Sequence, residues 1–140
     1  MKEKEAVEEL ELGLDFSKLQ RVADKCPNVI PVVVQDWRIK EVLGLVYINQ
    51  EALVKSWETG MAFFWSTSRN KLWLKGEEKS GCFLKVKEIR VNCDQNSLLF
   101  LVEKPENIGF CHTKNENGAF RESCFYRQIV DLASGKLVFS

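Results

Sequence analysis

The stretch "VIPVVVQDWRIKEVLGLVYINQEALVKSWETG", residues 29–60, decides the fold, because the spacing of its apolar residues changes half-way along. "VIPVVVQDW" and "EVLGLVYI" are short β-branched or aliphatic runs separated by the polar turn "RIKE", the pattern of a β-hairpin. "NQEALVKSWETG" has helical spacing instead. Asn49 is placed to cap it, Leu53 and Trp57 fall one turn apart on the expected inner face, and Gly60 stops it. The opening unit is therefore strand, strand, helix.

Toward the C-terminus, "MAFFWST", "KLWLKG" and "GCFLKVKEIRVNCD" read as strands joined by the turns "SRN" and "EEKSG". In the third, Phe83, Lys85, Lys87, Ile89 and Val91 alternate with Cys82, Leu84, Val86, Glu88 and Arg90. The apolar face switches near Lys87, which predicts a bulge or bend there. "SLLFLVEK" is another strand, residues 105–122 are mostly loop, "SCFYRQIVDL" is a further strand, and "ASGK" turns into "LVFS". Toward the N-terminus, Phe16, Leu19 and Val22 have helical spacing in a segment that ends at Cys26, before Pro27. Residues 1–12 are also helix-compatible, with Val7, Leu10 and Leu14 on one face and Gly13 as the break. The expected fold is a single α+β domain, mainly an antiparallel or mixed β-sheet with two or three short helices.

A chain of 140 residues can bury one core but not two. Its 20 basic and 20 acidic side chains cancel, so it lacks the positive field that would draw nucleic acid or an anionic membrane. The N-terminal "MKEKEAVEELELG" alternates charge and has no apolar run of the kind a signal peptide or membrane span needs, so a cytoplasmic location is expected. Five cysteines, an odd number at irregular spacing in a reducing compartment, argue against a disulfide framework. Metal binding or plain burial remain.

The only histidine, His112, sits beside Cys111, with Cys93 upstream and Cys124 downstream. Seventeen residues separate the first two cysteines and twelve the last two. This is no standard zinc-knuckle spacing, so packed thiols and a metal centre both remain open. Three thiolates around Zn²⁺ would leave a fourth position open for water, as catalytic sites do, but three sulfurs make a weak Lewis acid. A base such as His112 would then have to share the deprotonation. In "NCDQN", an extended backbone would turn Asn92, Asp94 and Asn96 to one side and Cys93 to the other. Three oxygen side chains at that period form a possible weak Mg²⁺ site; the other reading is a polar turn leading into "SLLFLV".

"VVVQDW", "EVLGLVYINQEAL", "WETGMAFFWSTSRNKLWLKGEEKSG", "IRVNCD", "CHT" and "SCFYR" occur in an order and at spacings that resemble the phosphoribosyl-AMP cyclohydrolase family of histidine biosynthesis. The resemblance covers residues 29–127 and divides the chain into an N-terminal helical extension, 1–28, and a cyclohydrolase-like domain, 29–140. It implies hydrolysis of the N1–C6 bond of the adenine ring in N1-(5-phosphoribosyl)-AMP by a zinc-activated water, with Mg²⁺ also required. It implies that Cys93, Cys111 and Cys124 hold Zn²⁺, that His112 is catalytic, and that the site is shared across an intertwined homodimer. With no second domain expected, the enzyme would have a single function.

The family's magnesium motif, Asp-Cys-Asp-x-Asp, reads Asn92, Cys93, Asp94, Gln95, Asn96 here, so two carboxylates have become amides. Leu74 follows Trp73 where some members have His, and the Cys111–Cys124 loop is longer than the family's usual version. Its insertion "KNENGAFRE" is expected to add charge and flexibility over the site. Two further readings follow from these departures: a zinc-dependent cyclohydrolase or deaminase acting on a different purine nucleotide, or a non-catalytic zinc-stapled dimer that binds a nucleotide. The substrate's two phosphates need local cations and donors in a neutral protein. Ser66, Ser68, Arg69, Lys71 and Lys75 are the first candidates, and Arg121 and Arg127 the second. Trp65 and Trp73 either stack on the purine or belong to the core.

Overall fold

The computed structural model describes residues 10–26 and 28–140. The elements are α1 (Lys18–Lys25), β1 (Ile30–Asp36), β2 (Val42–Ile48), α2 (Gln50–Thr59), β3 (Phe63–Ser66), β4 (Lys71–Leu74), β5 (Lys85–Val91), β6 (Leu98–Glu103), β7 (Arg127–Asp131) and β8 (Lys136–Phe139). Six strands form one sheet in the order β4-β3-β2-β1-β6-β5, and β7 and β8 pair separately. The large sheet is mixed because β6 runs parallel to β1, while the other pairs are antiparallel. The α+β architecture expected from the pattern is the one observed.

The hairpin of residues 29–48 has the predicted form, with Val32 opposite Val46 and Val34 opposite Gly44. Its turn is closed by Asp36, whose buried carboxylate accepts from the N–H groups of Arg38 (2.8 Å) and Ile39 (3.3 Å). Asn49 Oδ1 accepts from Ala52 N–H (2.9 Å) to start α2, and Gly60 ends it at φ 73°. The expected bulge is present, with the β5–β6 register slipping between Val86 and Glu88. One face of the sheet carries Val32, Val34, Phe64, Leu98, Phe100 and Val102, and the core is built on it with Ile48, Leu84 and Phe110.

Several local expectations are corrected. Trp57 is not on the inner face of α2 but 77% exposed; Ala52 and Ser56 are the buried residues, and Ser56 Oγ bridges Ala52 O and Phe63 N (both 2.9 Å). The small pair lets the helix approach β3 closely, which turns the tryptophan outward. In α1 only Val22 is buried, while Phe16 and Leu19 are exposed. Of the helix proposed for residues 1–12, most lies outside the described residues. Leu10, Glu11 and Leu12 pair with the β8 region instead, through Leu137 N to Leu10 O (3.2 Å) and Leu12 N to Gly135 O (2.9 Å). The strand read in "SCFYRQIVDL" begins only at Arg127.

Candidate active site

The loop between β6 and β7 carries two of the cysteines, and it is held at both ends. At its start, buried Lys104 donates from Nζ to Pro105 O (3.0 Å) and Ile108 O (3.1 Å), and pairs with Glu122 (2.6 Å). Two stretches of the loop then run side by side, joined by Cys111 N to Arg121 O (2.9 Å) and Arg121 N to Thr113 O (3.0 Å). Gly109 permits this approach, since a Cβ there would lie 2.1 Å from Phe120 O. The insertion "KNENGAFRE" is not a loose loop but the tip of this hairpin. Asn115 Oδ1 accepts from Asn117 and Ala119 N–H groups, and Lys114 lies over the Phe120 ring.

At its far end the loop docks on β2. Cys124 N donates to Leu43 O (2.7 Å) and Ser123 Oγ to Val42 O (2.8 Å). This sets the Cys124 sulfur over Gly44, where a Cβ would lie 3.3 Å from Sγ and 2.6 Å from Phe110 Cε1. Only glycine leaves room for both. The Cys111 and Cys124 thiols come near enough for each to shift the other's ionisation. The neighbouring Cys124 lowers the Cys111 thiol to about 5 against the opposing effect of burial; the hydroxyl and N–H of Thr113 and the charge of His112 assist. Cys124, exposed as a residue, is pushed up by its interaction with Cys111 and by desolvation of its sulfur. Two neighbouring thiols, one of which ionises more readily than the other, are a donor set of the kind soft cations prefer.

Lys75, only 3% exposed, stands behind this pair. Its ammonium lies 5.0 Å from the Phe110 ring centroid and 5.8 Å from that of Trp73, and it pairs with Glu78 at 3.0 Å. Burial would raise the Glu78 carboxyl. The bonds it accepts from Trp73 Nε1, from backbone N–H groups and from Lys75 outweigh this and lower it from its ordinary 4.5 to about 2. Trp73 thus belongs to the core cluster, against Phe64, and its N–H is already bonded. Spacing gave no sign of the roles of Gly44, Glu78, Lys104 and Glu122, because turn charges look alike in sequence whether solvated or bonded.

Tyr47 pairs with Trp65 across β2 and β3, so Ser66 falls on the same face as Gly44, one strand away. Ser66 Oγ accepts from Arg69 Nε (3.2 Å) and lies 3.4 Å from Ser68 Oγ. Lys71 is opposite Ser66 on β4. Arg121 is held elsewhere, its guanidinium stacked 4.1 Å from the Tyr126 ring centroid. His112 is exposed beside Cys111.

Cys93 stands apart. It is exposed in the turn between β5 and β6, and no three metal-binding side chains come together among the described residues. Residues 92–96 are not extended. Asn92 Oδ1 accepts from the N–H groups of Asn96 and Ser97 (both 2.9 Å), and its Nδ2 donates to Asn96 Oδ1 (2.7 Å). The two amides close a turn, so Asn92, Asp94 and Asn96 do not form a row.

Residues 44–126 match the sequence model for phosphoribosyl-AMP cyclohydrolase. The chain belongs to the phosphoribosyl-AMP cyclohydrolase family. It is 49% identical over 112 residues to the phosphoribosyl-AMP cyclohydrolase of Methanothrix thermoacetophila, covering 80% of this chain and 85% of that one. The Methanosarcina barkeri protein of the same name is 50% identical over 126 residues, covering 90% and 88%. The histidine biosynthesis bifunctional protein HisIE of Lactococcus lactis is 49% identical over 103 residues, 74% of this chain but 44% of that protein. The matched family segment begins at Gly44 and includes all three candidate cysteines and His112.

Proposed function

We propose that this chain is a phosphoribosyl-AMP cyclohydrolase of histidine biosynthesis, in which Cys111 and Cys124 of one chain and Cys93 of a second hold Zn²⁺. The observation that carries this reading is the neighbouring Cys111 and Cys124, with the Cys124 sulfur over Gly44, while Cys93 is exposed in a turn apart from them. Two sulfurs are built into place in one chain, and the third is free to serve another. Large apolar side chains exposed in the single chain, among them Phe125 beside Cys124 and Leu132 after β7, fit a homodimer that covers them. A two-stranded sheet such as β7–β8 also gains from being covered.

When bound, the zinc would supply Lewis acidity at the attacking water. The remaining chemistry falls to side chains. Phosphoribosylation at N1 makes C6 of the ring an electrophilic amidine carbon. Water adds its oxygen to C6 and the C6–N1 bond breaks; one of its protons ends on the exocyclic nitrogen, leaving a carboxamide, and the other on N1. His112, exposed beside Cys111, takes that proton from the water and delivers it. Ser66, Ser68, Arg69 and Lys71 bind the phosphates, and Lys75 balances the negative charge of the thiolates from below. Asp94 is the one carboxylate of its turn and is a weak Mg²⁺ ligand at most. Ligand thiols must be reduced, which suits the cytoplasm; among the described residues no helix is long and apolar enough to cross a membrane.

The test is turnover of N1-(5-phosphoribosyl)-AMP by zinc-loaded protein, read as the absorbance change on ring opening, with zinc content and dimer mass measured on the same sample. Ring opening supports the reading. A zinc-bearing dimer that leaves this substrate intact but opens another purine nucleotide, or opens none, overturns it in favour of the alternative nucleotide or the binding role.

A further inference from the structure

Helix α1 lies outside the segment matched by the family, and it is attached to the domain in an unusual way. An amphipathic helix normally docks by its apolar stripe, yet α1 buries only Val22 and leaves Leu19, like Phe16 just before the helix, in solvent. Its polar attachments all go to one turn, the one after β3. Lys18 Nζ donates to Thr67 Oγ1 (3.1 Å), Lys25 Nζ to Ser68 O (2.5 Å), and the Cys26 thiol to Thr67 O (3.5 Å).

Arg69, on the same turn, directs its guanidinium at Ser66 Oγ. Three cations are thereby gathered around four successive residues, and among the described residues none of the three is in an ion pair. Gathering like charges without a counter-charge is unfavourable unless an anion completes the set. Among the described residues each ammonium has one proton engaged by the turn, which leaves two to donate. The hydroxyls of Ser66 and Ser68 stand 3.4 Å apart on the same side. Such a donor-rich, acceptor-poor arrangement fits a phosphate monoester dianion.

We propose that α1 completes a phosphate subsite at this turn, with Lys18 and Lys25 as binding residues for one phosphate of the nucleotide. The inference rests on the cyclohydrolase reading for the identity of the nucleotide, but not for the presence of the anion site. Ser66 shares the face of Gly44 one strand away, so a phosphate held here leaves the base free to reach toward the cysteine pair.

The test uses the full chain with Lys18→Met and Lys25→Met together, and Lys18→Arg with Lys25→Arg as the charge-conserving control. Ribose 5-phosphate binding is measured by calorimetry at two salt concentrations, beside KM and kcat for N1-(5-phosphoribosyl)-AMP. The methionine variant is expected to weaken ribose 5-phosphate binding and raise KM about tenfold, with kcat within about twofold. Its salt dependence should be shallower, and the arginine variant should restore both. Equal losses in the methionine and arginine variants would mean that the lysines only fasten the helix; unchanged binding and KM would also overturn the proposal. If the wild-type chain opens no ring but binds ribose 5-phosphate in this lysine-dependent way, the anion site stands and the cyclohydrolase reading falls. If it opens the ring with KM and binding that do not depend on the lysines, the cyclohydrolase reading stands and the anion site falls. A wild-type chain that neither turns over nor binds removes both.

Discussion

Cys124 and Cys93 are both exposed in the single chain but are held in different ways. The first is fixed by a backbone bond to Leu43, packed over a glycine, and close enough to a second thiol to shift its ionisation. The second is exposed in a turn whose own amides, Asn92 and Asn96, hold each other. Protein interiors position sulfur tightly only where neighbouring backbone and rings constrain it, so the Cys124 end is preorganised within the chain. The Cys93 end has backbone order, but among the described residues no two further metal-binding side chains gather around it. A site needing all three has to gain its last ligand from outside the chain.

The sharpest way to break that contrast is to remove each cysteine in turn. Cys124→Ser and Cys93→Ser are both expected to lose zinc, and to lose turnover by more than about 100-fold, since even outer partners of metal ligands cost about 10–100-fold. Both residues are exposed in the single chain and no three metal-binding side chains meet among the described residues, so equal losses from the two would be hard to explain within one chain. Mixing the two inactive variants provides the decisive measurement. Random re-pairing of dimers should restore about a quarter of wild-type activity, because half the dimers are mixed and each contains one intact site. No recovery on mixing, with dimers shown to exchange, would refute the sharing.

The next prediction concerns stability at the preorganised end. Gly44→Ala places a methyl 2.6 Å from Phe110 Cε1 and 3.3 Å from Cys124 Sγ. The overpacking is expected to cost about 1–3 kcal/mol in denaturant unfolding, and zinc affinity should fall with it. A variant as stable as wild type would show that the ring and sulfur have room to move. Glu78→Gln tests the support beneath. Because the folded Glu78 carboxyl titrates at about 2 rather than 4.5, its ionised form contributes stability that is complete above the ordinary carboxylate range and lost as pH falls toward 2. The wild type should therefore lose stability faster than Glu78→Gln as pH is lowered through that window, and parallel acid curves would contradict the assignment.

The two ends also differ in how far they were legible. The period change in residues 29–60 revealed the hairpin and α2, and the face switch at Lys87 revealed the bulge, because both are local patterns. The outward turn of Trp57 was not visible, since it depends on Ala52 and Ser56 meeting β3. Nor was the pairing of Leu10 and Leu12 with the β8 region, a contact between opposite ends of the chain. The cysteine spacing left burial and metal binding equally open. The motif resemblance proposed the ligand set, and the fold then brought Cys111 and Cys124 together. Lys104 is the clearest omission, a lone charge in sequence that proves to tie two carbonyls and a carboxylate.

The smallest effect is expected at the Cys93 turn. Asn92 Oδ1 already accepts two backbone N–H bonds, and an aspartate there could keep both, so Asn92→Asp should leave the turn folded. Asn96 Oδ1 accepts from Asn92 Nδ2, and replacing both residues with Asp removes that bond and sets like charges side by side with Asp94 close in sequence. Divalent cations bind clusters of carboxylates much better than amides. The Asn92→Asp, Asn96→Asp chain is therefore expected to show tighter and more pronounced Mg²⁺ dependence of turnover, with zinc content unchanged. If the Mg²⁺ requirement does not move, this turn is structural only and any magnesium used by the enzyme binds elsewhere.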